Sequence, residues 1–117
     1  MITVTKETAQ ALKEAGWDKE CCLYYETEYS MPLFYNYEGP NDYFESYAPT
    51  AQEMLDEFPY DILEYCKIYF YKNFVQIEYL SRFNACGDNL AEALAKLWIQ
   101  LKKENLITDD APSATKA

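Results

Sequence analysis

The stretch 88–107, DNLAEALAKLWIQLKKENLI, decides the fold because its apolar residues recur with one helical period. The spacing i, i+4, i+7, i+8 and i+11 is that of one stripe on an amphipathic helix, formed here by Leu90, Leu94, Leu97, Trp98 and Leu101. Asn89 followed by Glu92 predicts a capping box at the start of the helix. At its end, Asn105 predicts a left-handed residue, after which Leu106 folds back on the last turn. An apolar stripe of this width has to be buried, so the helix predicts a surface that covers it.

The sequence in front of this helix predicts a β-hairpin that provides the covering surface. Residues 61–71 are rich in β-branched and aromatic side chains, and residues 72–73 predict the turn. Residues 74–80 alternate apolar and polar side chains, which is the period of a strand with one polar face. Residues 84–87 predict a turn into the helix. The apolar side of the hairpin is therefore expected to pack on Leu97 and its neighbours.

Near the start of the chain, the sequence predicts a short helix and a first hairpin. Residues 5–15 begin with a threonine N-cap, and Gly16 supplies the left-handed residue that ends the helix. Residues 21–29 alternate with the period of a half-buried strand. Residues 33–38 predict its hairpin partner, since residues 30–32 favour a turn between the two.

A loop and a second helix separate the two predicted hairpins. Residues 39–49, GPNDYFESYAP, are rich in turn formers and predict a surface loop. Thr50 and Glu53 have the spacing of a capping box, which predicts a helix over residues 50–58. Pro59 is expected to end this helix, because the residue before a proline avoids helical backbone.

The predicted order of elements is αββαββα. Neither pair of consecutive strands leaves room for a helical crossover, so each pair is expected to be a hairpin. The predicted fold is therefore α+β, an antiparallel sheet of about four strands in two hairpins, with three helices mainly on one face. One domain is expected over residues 1–107. Residues 108–117 are expected to form a disordered tail, because they contain no apolar anchor.

The net charge of −10 is concentrated in one segment. Between Glu20 and Cys66 the chain has eleven acidic residues and no lysine or arginine, so its other nine acids nearly balance its ten bases. Such a segment repels nucleic acid and anionic membranes and attracts basic surfaces. Direct binding to nucleic acid or to a membrane is therefore not expected.

The residue types present offer little for catalysis or for metal binding. The chain contains no histidine, and its cysteines, Cys21, Cys22, Cys66 and Cys86, lack the spacing of a zinc site. Free thiols are the expected state, in a reducing compartment. The three glycines are too far apart for a phosphate-binding loop. We therefore expect no catalytic, metal-binding or cofactor-binding residue, no cofactor and no enzyme activity.

Nine of the twelve tyrosines lie in the same base-free segment as the acids. Tyrosine combines a rigid apolar ring with a polar tip, which suits recognition surfaces. The tyrosines either cover the sheet and fill corners of the core, or they form an acidic, aromatic contact surface. The candidate interaction surface consists of residues in and beside the predicted loop, namely Tyr35, Tyr37, Glu38, Asp42, Tyr43, Glu45 and Tyr47.

Three segments of the chain resemble small uncharacterised proteins encoded by phages and by prophage regions of gut bacteria. These segments are 8–18, TAQALKEAGWD, 47–58, YAPTAQEMLDEF, and 92–107, EALAKLWIQLKKENLI. The likeness spans most of the chain, and it implies a mobile genetic element as the context. That group carries no assigned activity, so the resemblance implies no functional residue.

Three functions are compatible with these patterns in a soluble, cytoplasmic protein, which is the expected class because no apolar run is long enough for a secretory signal or a membrane span. The leading hypothesis is a non-enzymatic module whose acidic segment docks on a basic surface of a host protein, for example as an inhibitor that imitates nucleic-acid charge.

The second hypothesis is a small-ligand binding module with a tyrosine-lined pocket between the sheet and residues 39–49. The third is a self-assembling protein that forms a weak homodimer through the open face of its sheet. That face is expected to carry Leu63, Tyr65, Tyr69 and Tyr71, opposite a helix-facing side with Ile62, Cys66, Ile68 and Phe70.

Overall fold

The computed structural model describes residues 2–34 and 43–107, which form four helices and six strands. In chain order the elements are α1 (Lys6–Glu14), β1 (Leu23–Glu26), β2 (Leu33–Phe34), β3 (Phe44–Tyr47), α2 (Ala51–Glu57), α3 (Tyr60–Leu63), β4 (Cys66–Phe70), β5 (Val75–Tyr79), β6 (Phe83–Gly87) and α4 (Leu90–Lys103). The α+β class is confirmed. The finer prediction, one sheet of about four strands with three helices in the order αββαββα, is wrong. The predicted tail, residues 108–117, lies outside the described residues.

The strands form two separate antiparallel sheets of three strands each within the described ranges. In the first sheet β1 is central, with Tyr24 opposite Leu33 of β2 and opposite Tyr47 of β3. In the second sheet β5 is central, and β4 pairs with it along its full length without a bulge. On the other side of β5, Tyr79 lies opposite Phe83 at one end of β6. Both predicted hairpins therefore exist, and each gains a third strand.

Three segments form a structure that the sequence did not predict. The predicted loop 39–49 contains β3, and the predicted turn 84–87 belongs to β6. In β3 the buried position is a serine, and in β6 the buried positions include alanine and glycine, so neither strand shows an apolar period. The first part of the predicted strand 61–71 forms α3 instead, a short helix that has Pro59 as its N-cap residue. Its strand starts only at Cys66.

The helices connect the two sheets instead of lying on one face of a single sheet. Helix α4 packs mainly on β6 and also on β5, while α1 and α2 both contact α4, and α1 also contacts β3. One cluster of buried apolar side chains extends through these elements, from Val4 to Ile107. Leu94, Leu97 and Leu101 of α4 are buried in this cluster, as their spacing predicted.

Most of the predicted helix ends are confirmed. Thr50 and Glu53 form a complete capping box at the start of α2. Gly16 follows α1 with φ +108°, and Asn105 follows α4 with φ 59°. The Leu106 N–H then donates to the Leu101 carbonyl at 2.9 Å, which closes the last turn of α4.

The capping box predicted for α4 is only half right. The Asn89 side chain accepts a hydrogen bond from the Glu92 N–H at 3.0 Å, as expected for an N-cap. The Glu92 carboxylate is directed elsewhere and joins α4 to the start of α1. It accepts hydrogen bonds from the backbone N–H of Thr5 and from the Thr8 hydroxyl, the latter at 2.7 Å. Lys96 Nζ lies 4.0 Å from the same carboxylate.

Helix α4 lies against the end of β6 because the last residue of that strand has no side chain. A Cβ atom on Gly87 would lie 2.5 Å from the Cβ of Glu92 and 2.6 Å from the backbone nitrogen of Ala93. Both distances are shorter than a non-bonded contact allows, so only glycine permits this approach.

The turn between β5 and β6 has an unfavourable backbone. Leu80 and Ser81 have φ angles of 56° and 57°, and the Arg82 N–H donates to the Tyr79 carbonyl at 3.1 Å. Two successive positive φ angles are typical of a type I′ hairpin turn, which normally takes Asn and Gly.

Leu97→Ala is expected to lower the free energy of unfolding by about 2–5 kcal/mol, because it leaves a cavity in the core. Leu80→Ala is the matched control, since Leu80 is 56% exposed, and it should change stability by less than about 0.5 kcal/mol. Denaturant midpoints of both variants test this. Equal midpoints for Leu97→Ala and the wild type would mean that α4 does not pack as described.

Glu92→Ala is expected to lower the free energy of unfolding by roughly 2–4 kcal/mol, because it leaves the Thr5 N–H and the Thr8 hydroxyl without their charged acceptor. Glu14→Ala removes a carboxylate from an exposed position of α1 and should have an effect near zero. Urea denaturation of the two variants gives the comparison. Similar stability of the two variants would contradict the role assigned to Glu92.

Candidate functional site: an acidic surface and an aromatic pocket

Only three of the seven residues in the predicted interaction surface belong to the described part of the chain. Tyr35, Tyr37, Glu38 and Asp42 lie outside the described residues. Of the remaining three, Tyr43 is 61% exposed, whereas Tyr47 is half-buried with its ring edge-on to Phe44 at 4.9 Å. The Glu45 carboxylate lies 3.3 Å from Lys6 Nζ. Tyr43 is therefore the one described member of the set that presents an exposed side chain.

Bases from α1 and the segment after it lie against the acidic segment. Besides its contact with Glu45, Lys6 Nζ donates hydrogen bonds to backbone carbonyls within residues 26–29 at 2.8–2.9 Å. Lys19 Nζ lies 3.9 Å from the Glu57 carboxylate. A segment without bases in the sequence is thus partly neutralised in the folded protein.

An acidic surface without such neutralisation lies on α2 and α3. We call it the α2–α3 surface and define it by the exposed side chains of Asp56, Tyr60 and Asp61. Tyr60 is 68% exposed, and the exposed residues Glu64 and Tyr65 continue the surface towards β4. In the described part of the chain, no lysine or arginine lies within 4.0 Å of the carboxylates of Asp56 and Asp61. These residues fall in the acidic segment, but the sequence did not single them out.

The negative charge of this surface acts on a neighbouring phenol. The pKa of Tyr79 is raised above its ordinary value, first by burial and then by the charge of Asp61, with smaller effects of Cys66 and Tyr65. Asp61 is therefore close enough to influence β5, although its own side chain is exposed.

A pocket of about 300 Å³ lies between α1 and β3. We call it the α1–β3 pocket. Its lining residues are Ala9, Lys13, Gly16, Trp17, Asp18, Phe44, Ser46 and Tyr47. Its position beside β3 is close to the place predicted for a ligand pocket, but its aromatic lining is one tryptophan, one phenylalanine and one tyrosine. This volume is at the lower end of the range for small-molecule sites.

The walls of the α1–β3 pocket are held by aromatic and charged contacts. Trp17 meets Trp98 of α4 edge-on at 5.3 Å, and Phe44 stacks on Tyr24 at 5.7 Å. Lys13 Nζ lies 5.9 Å above the Phe44 ring and donates a hydrogen bond of 2.7 Å to a β3 carbonyl. Contacts within the protein therefore hold the aromatic side chains of the pocket in place without a ligand.

Two buried polar groups among the lining residues lack a hydrogen-bond partner in the described chain, the Trp17 indole N–H and the Ser46 hydroxyl. Ser46 is 1% exposed, and its hydroxyl makes no hydrogen bond within the described chain. A buried hydroxyl without a partner is unfavourable by roughly 1–3 kcal/mol. A hydrogen-bond acceptor on a bound molecule would remove this penalty.

A second, acidic cleft of about 230 Å³ contains Tyr43. It is lined by Glu26, Glu28, Tyr29 and Tyr43. Glu26 is buried and accepts a hydrogen bond of 3.3 Å from the Tyr24 hydroxyl, which lies on the same strand. This cleft places one member of the predicted surface beside two carboxylates that are distant from it in sequence.

The predicted open face of the second sheet differs from expectation in its composition. Tyr69 lies on that face opposite Gln76, and Tyr71, which follows on the same face, stacks on Phe74 at 4.5 Å. Beside Tyr69, Lys67 lies opposite Glu78, and Glu78 lies opposite Asn84, so this part of the face is polar. Leu63 and Tyr65 do not contribute to it, because Leu63 belongs to α3 and Tyr65 to the turn that follows. Of the four residues expected on this face, Tyr69 and Tyr71 lie on it, and both are exposed.

The described residues contain neither an arrangement typical of a metal site nor a membrane-spanning helix. No group of three or more cysteine and acidic side chains within residues 2–34 and 43–107 is arranged to hold a metal ion. None of the described helices combines the length and the apolar character needed to cross a membrane.

Comparison with models of protein families, with curated proteins and with solved structures found no match to this chain. No residue role is therefore transferred from another protein to this chain.

The cysteines are expected to differ sharply in reactivity. Burial, and next the charge of Glu53, raises the pKa of Cys21 from 9.0 to about 12, and burial raises that of Cys66 to about 11. At pH 8 the thiolate fraction of Cys21 should then be roughly a thousandfold below that of an ordinary thiol. Cys22 and Cys86 are exposed. Timed alkylation followed by mass spectrometry should therefore label these two first, and rapid labelling of Cys21 would contradict its burial.

Proposed function

We propose that the protein is a non-enzymatic interaction module that docks on a basic surface of another protein through its α2–α3 surface. The observation that carries the proposal is the exposed pair of Tyr60 and Asp61, which lies where no base of the described chain neutralises the acid. An aromatic anchor beside unpaired charge is the combination that recognition surfaces use.

The charge and the aromatic ring contribute to different steps of binding. Exposed carboxylates raise the rate of encounter with a basic partner, and this effect weakens as salt screens it. A tyrosine that becomes buried at the contact supplies affinity at a low cost in side-chain entropy. The net charge of −10 adds a long-range field of the same sign.

The resemblance to phage and prophage proteins suggests the kind of partner. A protein of a mobile genetic element that acts in the host cytoplasm meets many host proteins with basic nucleic-acid grooves. An acidic module can occupy such a groove by imitating the charge of nucleic acid, and we propose inhibition or modulation of such a host protein as the outcome.

Replacing Asp56 and Asp61 together by asparagine is expected to weaken capture of a partner from a gut-bacterial lysate by about tenfold at low salt. Tyr60→Ala should weaken the same capture by a similar factor, because it removes the aromatic anchor. Glu14→Gln is the matched control, since it removes a charge from an exposed position of α1, and it should leave capture unchanged.

The salt dependence completes this test. Capture by the wild type should fall as ionic strength rises. A partner that is retained equally by all three variants, or equally at low and high salt, would rule out the α2–α3 surface as the contact.

A second candidate function is the binding of a small aromatic molecule in the α1–β3 pocket. The observation that favours it is the buried Ser46 hydroxyl, which has no partner among the described residues although the pocket around it is aromatic. The ligand class is a planar compound that stacks on the aromatic wall and accepts a hydrogen bond from this hydroxyl.

Ser46→Ala separates this candidate from the first one. The variant should be as stable as the wild type, or slightly more stable, because no hydrogen bond of Ser46 is lost. In a thermal-shift screen of nucleosides and aromatic acids, any compound that stabilises the wild type should stabilise Ser46→Ala much less. Ser30→Ala, at an exposed position, is the control. A screen in which no compound shifts the wild-type transition would remove this function.

A further inference from the structure

Two hydrogen-bond donors of the α1–β3 pocket lie at the same stretch of β3. Lys13 Nζ donates a hydrogen bond of 2.7 Å to the Glu45 carbonyl and lies 5.9 Å from the centre of the Phe44 ring. Ser46 follows Glu45 directly in β3, and its buried hydroxyl has no hydrogen-bond partner in the described chain. Both side chains line the pocket, so the ammonium and the hydroxyl border the same part of it.

The Lys13 ammonium has capacity for a further acceptor. An ammonium group has three N–H donors, and one of them is used by the Glu45 carbonyl. Among the described residues, no carboxylate lies within 4.0 Å of Lys13 Nζ, whereas Lys6 Nζ is paired with the Glu45 carboxylate at 3.3 Å. Lys13 is therefore a positive charge of the pocket lining that no described acid balances at close range.

The third donor among the lining residues, the Trp17 indole N–H, is directed to a different group. Burial raises the pKa of the Cys21 thiol, and the Trp17 N–H acts on that pKa in the opposite direction. The indole N–H therefore lies beside the Cys21 sulfur, although it makes no full hydrogen bond. Trp17 contributes its ring to the pocket, and Ser46 and Lys13 contribute the donors.

The size of the pocket limits the ligand to one or two aromatic rings with a short polar group. An apolar cavity of about 150 Å³ holds one benzene molecule, and the α1–β3 pocket has about 300 Å³. Its aromatic wall consists of Trp17, Phe44 and Tyr47. A ring on this wall leaves room for one small group at Lys13 and Ser46.

We propose, on the basis of the second candidate function, that the ligand of the α1–β3 pocket is a small aromatic carboxylate. Its ring lies on the aromatic wall, and its carboxylate accepts hydrogen bonds from the Ser46 hydroxyl and the Lys13 ammonium. A carboxylate has two acceptor oxygens, whereas a neutral amide has one and adds two N–H donors. Hydrogen bonds between charged groups are also stronger than those between neutral groups.

The charge of the rest of the protein opposes an anion, so Lys13 has to provide the selectivity. The chain has a net charge of −10, and Asp18 is an exposed acid of the pocket lining. Salt screens charges that lie more than roughly 8–10 Å away, but it screens a direct contact in a partly enclosed pocket much less. The preference for an anion should therefore disappear with the Lys13 charge and increase when Asp18 is neutralised.

Phenylacetate and phenylacetamide test this preference, because they have nearly the same shape and differ in charge. The chain has two tryptophans, of which Trp17 lines the pocket and Trp98 meets Trp17 edge-on at 5.3 Å. Titration of the intrinsic tryptophan fluorescence therefore reports binding directly. The wild type should bind phenylacetate about tenfold more tightly than phenylacetamide.

Four variants identify the residue that selects the charge. Lys13→Gln should weaken phenylacetate binding about tenfold and leave phenylacetamide within about twofold of its wild-type affinity. Lys13→Arg should retain the preference. Asp18→Asn should tighten phenylacetate binding about twofold, because it removes an exposed like charge. Lys67→Gln, which removes the same charge from an exposed position of β4, is the control and should leave the binding of both compounds unchanged.

The possible results distinguish this ligand class from the second candidate function itself. Equal binding of the two compounds, or a preference that survives Lys13→Gln, would overturn the carboxylate and leave the pocket as a site for neutral aromatic molecules. Tighter binding of phenethylamine, the corresponding cation, would overturn it as well, because Asp18 would then select the ligand. If neither the acid, the amide nor the amine binds at millimolar concentration, the ligand class and the second candidate function are both wrong.

Discussion

The buried carboxylate of Glu92 holds the start of α1 against the start of α4. It is 4% exposed, and a buried charge is tolerated only when hydrogen-bond donors surround it. Its donors are the Thr5 N–H and the Thr8 hydroxyl, and it also lies in the first turn of α4, where the helix dipole favours negative charge. This one group therefore joins the start of α1 to the start of α4. Since α1 also packs on β3, the position of the aromatic pocket depends on it.

The sequence predicted best those features that are determined locally. Helix ends were found because a cap needs only a few neighbouring residues, as at Thr50, Gly16 and Asn105. The sequence predicted that the Glu92 side chain forms a capping box with the neighbouring Asn89. Its carboxylate instead accepts hydrogen bonds from Thr8 and Thr5, which lie 84 and 87 residues away in sequence. The strand β6 was missed for a related reason, because the small residues that face inward, such as Ala85, make room for α4 instead of showing an apolar period.

The acidic segment shows why surface properties are harder to predict from sequence than helix ends. In the sequence, Glu45 and Glu57 lie in a segment that contains no lysine or arginine. In the folded protein, Lys6 lies within ion-pair distance of Glu45, and Lys19 within ion-pair distance of Glu57. Charge neutralisation depends on tertiary neighbours, which the linear pattern does not contain. The sequence placed the candidate surface at residues 35–47, and four of its seven members lie outside the described residues. It singled out neither Tyr60 nor Asp61, whose exposed side chains lie on α3.

The left-handed turn at Leu80 and Ser81 has a consequence for the order in which the protein folds. Residues with side chains disfavour this conformation by roughly 1–2 kcal/mol each, so the turn opposes the closure of β5 on β6. The turn therefore stabilises this hairpin less than Asn and Gly would at the same two positions. Helix α4 has favourable residues at both ends, so it is expected to form without help from the sheet. The β5–β6 hairpin is expected to become stable only when its buried side packs on α4. We infer that the second sheet condenses late, on a helix that is already formed.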